Sequence, residues 1–185
     1  MDTIEVKIEL LKGCIDTQLE TQDYSNAIVV ESASELHFLS KITLAGHYCR
    51  EYTVASELVE LNGSRVLSDG KTLLILLWSE LAIVDIENNK LSRVIKFDCW
   101  ELFGIYKFKS GYFIHGEDAT RYLNGNFEQV WERGAIDIFA GCKLDNVVDI
   151  FDDYWTITDW CGYKHHYNEE GEFLCEYCPQ YDSNK

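Results

Sequence analysis

The sequence predicts an all-β protein made of antiparallel four-stranded, blade-like repeats. Two observations predict it. Short β-branched and aromatic runs alternate with Gly, Asn and Asp turns along most of the chain, and the same strand-and-turn pattern recurs at a spacing of just over forty residues. With 185 residues, 46% of them hydrophobic and 14% aromatic, the chain has enough apolar material for one sizeable core and is not disordered. It holds one proline and no Ser/Gly-rich stretch that would read as a linker, so residues 1–185 are read as a single β-repeat domain.

The clear repeats span 64–95, 105–132 and 148–177. From Arg65 the chain reads RVLSDGKTLLILLWSELAIVDIENNKLSRVI, from Ile105 IYKFKSGYFIHGEDATRYLNGNFEQVWE, and from Val148 VDIFDDYWTITDWCGYKHHYNEEGEFLCEY. Each is a short apolar strand, a tight turn, a second strand, a polar kink, a third strand, another turn and a fourth strand. Ser68-Asp69-Gly70, Lys109-Ser110-Gly111 and Asp152-Asp153 join the first two strands of each repeat. Glu87-Asn88-Asn89-Lys90, Asn124-Gly125-Asn126 and Glu169-Glu170-Gly171 join the last two. The Asn-Gly and Glu-Gly pairs are expected to supply the positive φ that tight hairpins need. Gly70 and Gly111 stand 41 residues apart, and Gly111 and Asp153 stand 42 apart, steps that fit four-stranded blades.

A weaker copy spans 26–54, AIVVESASELHFLSKITLAGHYCREYTV from Ala27 onward. The layout resembles a small or incomplete β-propeller, with blades arranged as in the WD and Kelch types over residues 25 to 178. The Trp-Asp and Gly-His signatures of the WD type are missing from the matching places. Under that resemblance Thr3 to Leu11 reads as a strand that would complete the last blade of a closed ring. Leu10, Leu11, Cys14 and Ile15 read alternatively as the start of a short helix, which Gly13 disfavours.

Composition narrows function. Thirty-two acidic against sixteen basic residues give a net charge of −16, which repels nucleic-acid phosphates and anionic lipid and attracts basic proteins. No signal peptide is read at the N-terminus, and the most apolar run, Leu73 to Trp78, is too short to span a bilayer. Seven scattered cysteines form no disulfide framework and point to a reducing cytoplasm.

There is no phosphate-binding Gly loop, nucleophile elbow or zinc-protease motif, so no catalytic residue and no cofactor are assigned. Cys161, His165, Cys175 and Cys178, with His166 adjacent, have metal-like spacing. Yet Cys175 and Cys178 fall on and just past a strand rather than on a knuckle, and His165 and His166 would face opposite sides of a strand. No metal is expected there. Asp149, Asp152, Asp153 and Asp159 are read as turn and surface carboxylates, and His37, His47 and His115 as structural.

The repeat register sorts the loops onto two rims: one of tight hairpin turns, the other of second-to-third-strand kinks and inter-repeat connections. The connections, Phe97 to Gly104 and Gly134 to Asn146, are the longer loops, where function tends to sit on a rigid scaffold. Their rim gathers Glu80, Asp98, Trp100, Glu101, Glu117, Asp118, Asp137, Asp159 and Trp160, the expected partner-binding residues. Carboxylates would steer a basic protein and the tryptophans would anchor it. In character the chain resembles the acidic immunity proteins of bacterial contact-dependent growth inhibition and polymorphic toxin systems. That resemblance implies a cytoplasmic, non-enzymatic inhibitor covering the active site of a basic toxin domain such as a nuclease, with no direct contact to nucleic acid or membrane. The alternatives are a general propeller-type interaction scaffold and, third, a carbohydrate-binding or hydrolytic protein using the Trp and Asp residues of the last repeat.

Overall fold

In the computed structural model, residues 5–13, 17–32, 35–46, 49–57, 59, 61–134, 147–160 and 162–177 are described. They form two compact units, 1–98 and 99–185, each containing two four-stranded sheets.

The first sheet of the N-terminal unit contains β1 (Glu5–Gly13), β2 (Val29–Val30), β3 (Phe38–Ala45) and β4 (Arg50–Ser56), in the order β1-β3-β4-β2. Two expectations change here. The segment read as completing the last blade pairs with β3 instead, Glu5 opposite Ala45 through Gly13 opposite Phe38. In addition β2 runs parallel to β4, because the chain reaches it through the one-turn helix α1 (Thr21–Tyr24) rather than through a hairpin. Asp23 holds that turn: its carboxylate accepts the Glu20 N–H at 2.9 Å and pairs with Lys12 at 2.7 Å. Leu10 and Leu11 lie in β1 rather than in a helix, and Cys14 and Ile15 lie outside the described residues.

The other three sheets are antiparallel meanders in chain order. The second sheet holds β5 (Val66–Ser68), β6 (Thr72–Leu76), β7 (Glu80–Asp85) and β8 (Lys90–Lys96). In the C-terminal unit, β9 (Leu102–Phe108), β10 (Gly111–Gly116), β11 (Ala119–Leu123) and β12 (Gln129–Gly134) form one sheet. The other holds β13 (Val148–Ile150), β14 (Trp155–Thr158), β15 (Lys164–Tyr167) and β16 (Phe173–Tyr177).

Period-two alternation explains the packing. In the N-terminal unit Leu73, Ile75, Ala82 and Val84 share one buried cluster with Ile42, Leu44, Tyr52 and Val54 of the first sheet. In the C-terminal unit Phe113, Tyr122 and Trp131 pack against Trp155, Ile157 and Tyr167. Trp155 is fully buried, its ring 3.9 Å from Phe113 and 4.6 Å from Tyr167 between centroids. The fourth strands β8 and β12 are mostly exposed, so burial concentrates on the inner strands.

The turns fall where the spacing puts them, and Gly171 supplies the positive φ expected of it, but the β11–β12 turn differs from expectation. In the β11–β12 turn the left-handed residue is Phe127, φ 63°, rather than Gly125. Asn124 closes that turn: its Oδ1 accepts the N–H groups of Asn126 and Glu128 at 2.9 and 3.0 Å, and its Nδ2 donates to Glu128 at 2.8 Å. Stacking of Phe127 on Tyr112, centroids 5.0 Å apart, offsets backbone strain of about 1–3 kcal/mol. The β15–β16 turn repeats the device, with Asn168 bonded to Glu172 and Gly171 at φ 71°. There glycine is required twice over, since a Cβ would also sit 2.7 Å from the Trp131 ring.

Trp155→Ala is expected to destabilise the C-terminal unit by about 3–5 kcal/mol, whereas Val130→Ala, 57% exposed on β12, should stay within about 0.5 kcal/mol. Urea denaturation followed by tryptophan fluorescence and circular dichroism measures both.

Candidate protein-contact site

Strand direction places the second-to-third-strand turns and the entries to the first strands at the same end of each of the three meander sheets. In the sheet of β9–β12 this end holds Trp100, Glu101, Glu117 and Asp118, and the Glu117 N–H donates to the Glu101 carbonyl at 2.8 Å. In the sheet of β13–β16 it holds Asp159 and Trp160. Trp100 is 69% exposed and Trp160 is 54% exposed. Both are large aromatic surfaces offered to solvent from turns rather than strands.

The loop carrying Trp160 is tightly organised. Asp159 accepts the Tyr163 N–H on Oδ1 at 2.9 Å, its own N–H donates to the Tyr163 carbonyl at 3.0 Å, and Gly162 donates to the Asp159 carbonyl at 3.0 Å. Asp159 Oδ2 lies 2.9 Å from His165 Nε2, and both residues are buried. Asp159 was expected on the contact surface. Its carboxylate instead fastens the loop from below and leaves Trp160 at the tip.

Glu80 departs from expectation in the same way. It is buried, pairs with Lys96 at 3.0 Å and accepts the Ser32 N–H at 3.4 Å, so its charge is engaged within the N-terminal unit. Beside it Glu31, which the sequence did not single out, is buried and accepts the N–H groups of Trp78 at 2.9 Å and Glu57 at 2.7 Å. Burial, then the charges of Glu80 and Glu57, push the Glu31 carboxyl above its ordinary range, while the two backbone bonds act against them.

Asp118 is partly exposed and lies 3.9 Å from Arg121, a buried guanidinium that also pairs with Glu132 at 2.8 Å. Glu101 and Glu117 are half-buried, and Asp98 is exposed in the connection after β8. Asp137, like most of the Gly134 to Asn146 connection, lies outside the described residues. The opposite, hairpin rim of the C-terminal unit is internally bonded. Glu169 receives Tyr122 Oη at 3.0 Å and Ser110 Oγ at 3.3 Å, Lys109 lies 3.5 Å from Glu169 and 3.8 Å from Asp153, and the Trp131 indole donates to the Glu169 carbonyl at 2.7 Å.

His165 and Cys175, considered together as metal ligands, face opposite sides of their sheet, because His166 rather than His165 stands opposite Cys175. Cys161 and Cys178 lie outside the described residues, as does His47. Among the described residues no group of three or more His, Cys, Asp or Glu side chains is placed to hold a metal ion, and no helix is long and apolar enough to cross a membrane.

Comparison with known proteins bears on the fold. The chain is similar to BamB from Moraxella catarrhalis, a β-propeller seen in a crystal structure, with a TM-score of 0.54 at 12% identity over 83% of this chain and 50% of that one. This chain folds as propeller-type blades. It spans about half the length of that BamB chain. No family model and no curated protein matches the sequence.

The raised Glu31 carboxyl gives a pH dependence of definite sign. A carboxyl whose folded pKa exceeds its unfolded value, about 4.3, contributes stability that is complete below the unfolded value and is lost as pH rises through the folded one. Relative to Glu31→Gln, which does not titrate, the unmutated protein should therefore gain stability as pH falls from 7 toward 4.5. Paired urea titrations at the two pH values check this; a difference that shrinks on acidification contradicts the assignment.

Proposed function

We propose that the chain is a non-enzymatic protein-binding scaffold that engages a basic protein through the turn-and-connection rim of its C-terminal unit. One observation carries the reading: Trp100 and Trp160 are exposed on that rim, and Trp160 is held at the tip of a loop fastened by the buried Asp159–His165 pair. Tryptophan is the residue type most enriched among dominant interface anchors, and an anchor already in place loses little side-chain freedom on binding. Glu101, Glu117 and Asp118 stand at the same end of the sheet as Trp100. Together with the chain's net charge of −16, these carboxylates favour a partner that presents lysine and arginine.

In its specific form the proposal is an immunity-type inhibitor. The partner would be a toxin domain, such as a nuclease, whose cationic groove otherwise grips phosphates, and occupying that groove would block substrate. Support for this form is the charge of the whole chain and its resemblance in character to bacterial immunity proteins. A cytoplasmic site of action goes with it.

The test is binding by surface plasmon resonance to the basic product of a neighbouring reading frame, across a salt series, with a nuclease assay alongside. Trp160→Ala should weaken binding by about 2 kcal/mol or more, mostly through faster dissociation. Glu117→Lys should slow association and flatten its salt dependence. Reversal at Asp118 is a poorer probe, because it would set a cation against buried Arg121 and lower stability. Unchanged rates for Trp100, Trp160 and Glu117 variants would remove the rim from the mechanism. Binding without loss of nuclease activity would leave the scaffold and reject the inhibitor.

A further inference from the structure

The sequence holds two Asn-Gly pairs, Asn62-Gly63 and Asn124-Gly125, and the fold treats them differently. Such a pair is chemically special because glycine has no Cβ. Nothing on the glycine then shields its backbone nitrogen from the side-chain carbonyl carbon of the preceding asparagine.

Asn124 is held at both ends of its amide. Its Oδ1 accepts the N–H groups of Asn126 and Glu128, and its Nδ2 donates to the Glu128 carboxylate at 2.8 Å. A Cβ on Gly125 would sit 3.1 Å from the Ser110 carbonyl oxygen, so this turn is also packed from one side. Asn62 and Gly63 are exposed in the turn ahead of β5, and a Cβ on Gly63 would meet no atom within 4 Å. The Asn62 amide is engaged at its oxygen, by one residue: Oδ1 accepts the Ser64 N–H at 3.0 Å and the Ser64 Oγ–H at 2.7 Å. Two donors therefore point at the oxygen on which charge would gather if the side-chain carbonyl carbon were attacked.

We propose that Asn62 is a site of spontaneous deamidation, with water as the co-reactant. The Gly63 nitrogen gives its proton to solvent base and attacks the Asn62 side-chain carbonyl carbon, forming a new C–N bond. Negative charge gathers on Oδ1 beneath the two Ser64 donors. The bond to the side-chain nitrogen then breaks, and ammonia leaves with a proton taken from water, which closes a five-membered succinimide. Water opens that ring at either carbonyl, giving aspartate or isoaspartate. Overall one water is consumed and one ammonia is released. Either product adds a negative charge to a turn held by the Arg65 N–H donating to the Asn62 carbonyl at 3.1 Å. Isoaspartate also lengthens the backbone by one methylene ahead of β5.

The test ages the unmutated protein in mildly alkaline buffer and follows each asparagine by mass spectrometry of tryptic peptides. Residues 51–65 form one such peptide, in which Asn62 is the sole amide side chain. Asn62 should convert roughly tenfold faster than Asn124, the factor that one charge-assisted hydrogen bond is worth. Glu128→Ala should narrow that gap by speeding Asn124, and in urea the two rates should converge. Ser64→Ala should slow Asn62 several-fold in the folded protein and leave Asn124 unchanged, with circular dichroism confirming the fold. Equal rates at the two sites in the folded, unmutated protein overturn the proposal without recourse to any variant. A gap that persists undiminished in urea overturns it equally, since the difference then lies in the sequence rather than in the fold. An Asn62 rate indifferent to Ser64→Ala overturns the part assigned to the hydroxyl.

Discussion

A four-stranded sheet has two faces and no interior, and the rest of this structure follows from that constraint. Such a sheet is stable only when its central strands are covered, and here two sheets in each unit cover one another. In the N-terminal unit the partners are aliphatic, Leu73 and Ile75 against Ile42 and Val54. In the C-terminal unit they are aromatic, Phe113 and Trp131 against Trp155 and Tyr167. Aromatic packing demands angular fit as well as burial: Trp131 and Trp155 lie within 11° of parallel. Gly171 leaves the room that the Trp131 ring occupies. One tryptophan orientation thus fixes how a turn of the neighbouring sheet approaches, and the Trp131 indole bond to the Glu169 carbonyl closes the contact.

What was legible in the chain was what obeys period-two alternation with local turns. The three meander sheets announce themselves because consecutive strands pair and each turn carries its own Asn, Asp or Gly. The first sheet does not, since β1 pairs across more than twenty residues with β3 and β2 is a two-residue strand in parallel pairing. No local pattern encodes either pairing. Turn chemistry was legible in position but not in detail: Phe127 takes the left-handed conformation that the neighbouring glycine was expected to supply. The cause is tertiary, a ring that finds Tyr112 to stack on.

The candidate site divides in the same way. Trp100 and Trp160 were visible because a tryptophan in a polar turn has no strand face to hide on. Glu80 and Asp159 misled because a carboxylate in a turn has two uses, facing solvent or turning inward to accept backbone N–H groups, and residue type alone does not choose. Inward use needs a partner that is distant in sequence or off the expected face: Ser32 for Glu80, His165 for Asp159. Glu31 was missed for the same reason. Its two acceptor bonds go to Glu57 and Trp78, 26 and 47 residues away.

These buried charged and polar groups occupy equivalent turns within their own sheets. Each second-to-third-strand turn of the three meander sheets has such groups beside it: Glu31 and Glu80 at Trp78, Arg121 with Asp118 and Glu132 at the β10–β11 turn, and Asp159 with His165 at Trp160. Burying a charge costs several kcal/mol unless partners repay it, and an apolar side chain would cover the same area at less cost. What a charge adds is direction, because a carboxylate bonded to two separate groups admits one backbone path where an apolar contact admits many. Two of these turns are tied at two points in this way, at Trp78 by Glu31 and beneath Trp160 by Asp159, so Trp160 rides on a fastened turn. Association then spends less of its free energy on ordering the loop. That economy supports placing the proposed contact at this end of the C-terminal unit's sheets rather than at its hairpin rim, where Glu169 and Asp153 are already engaged by Lys109, Tyr122 and Ser110.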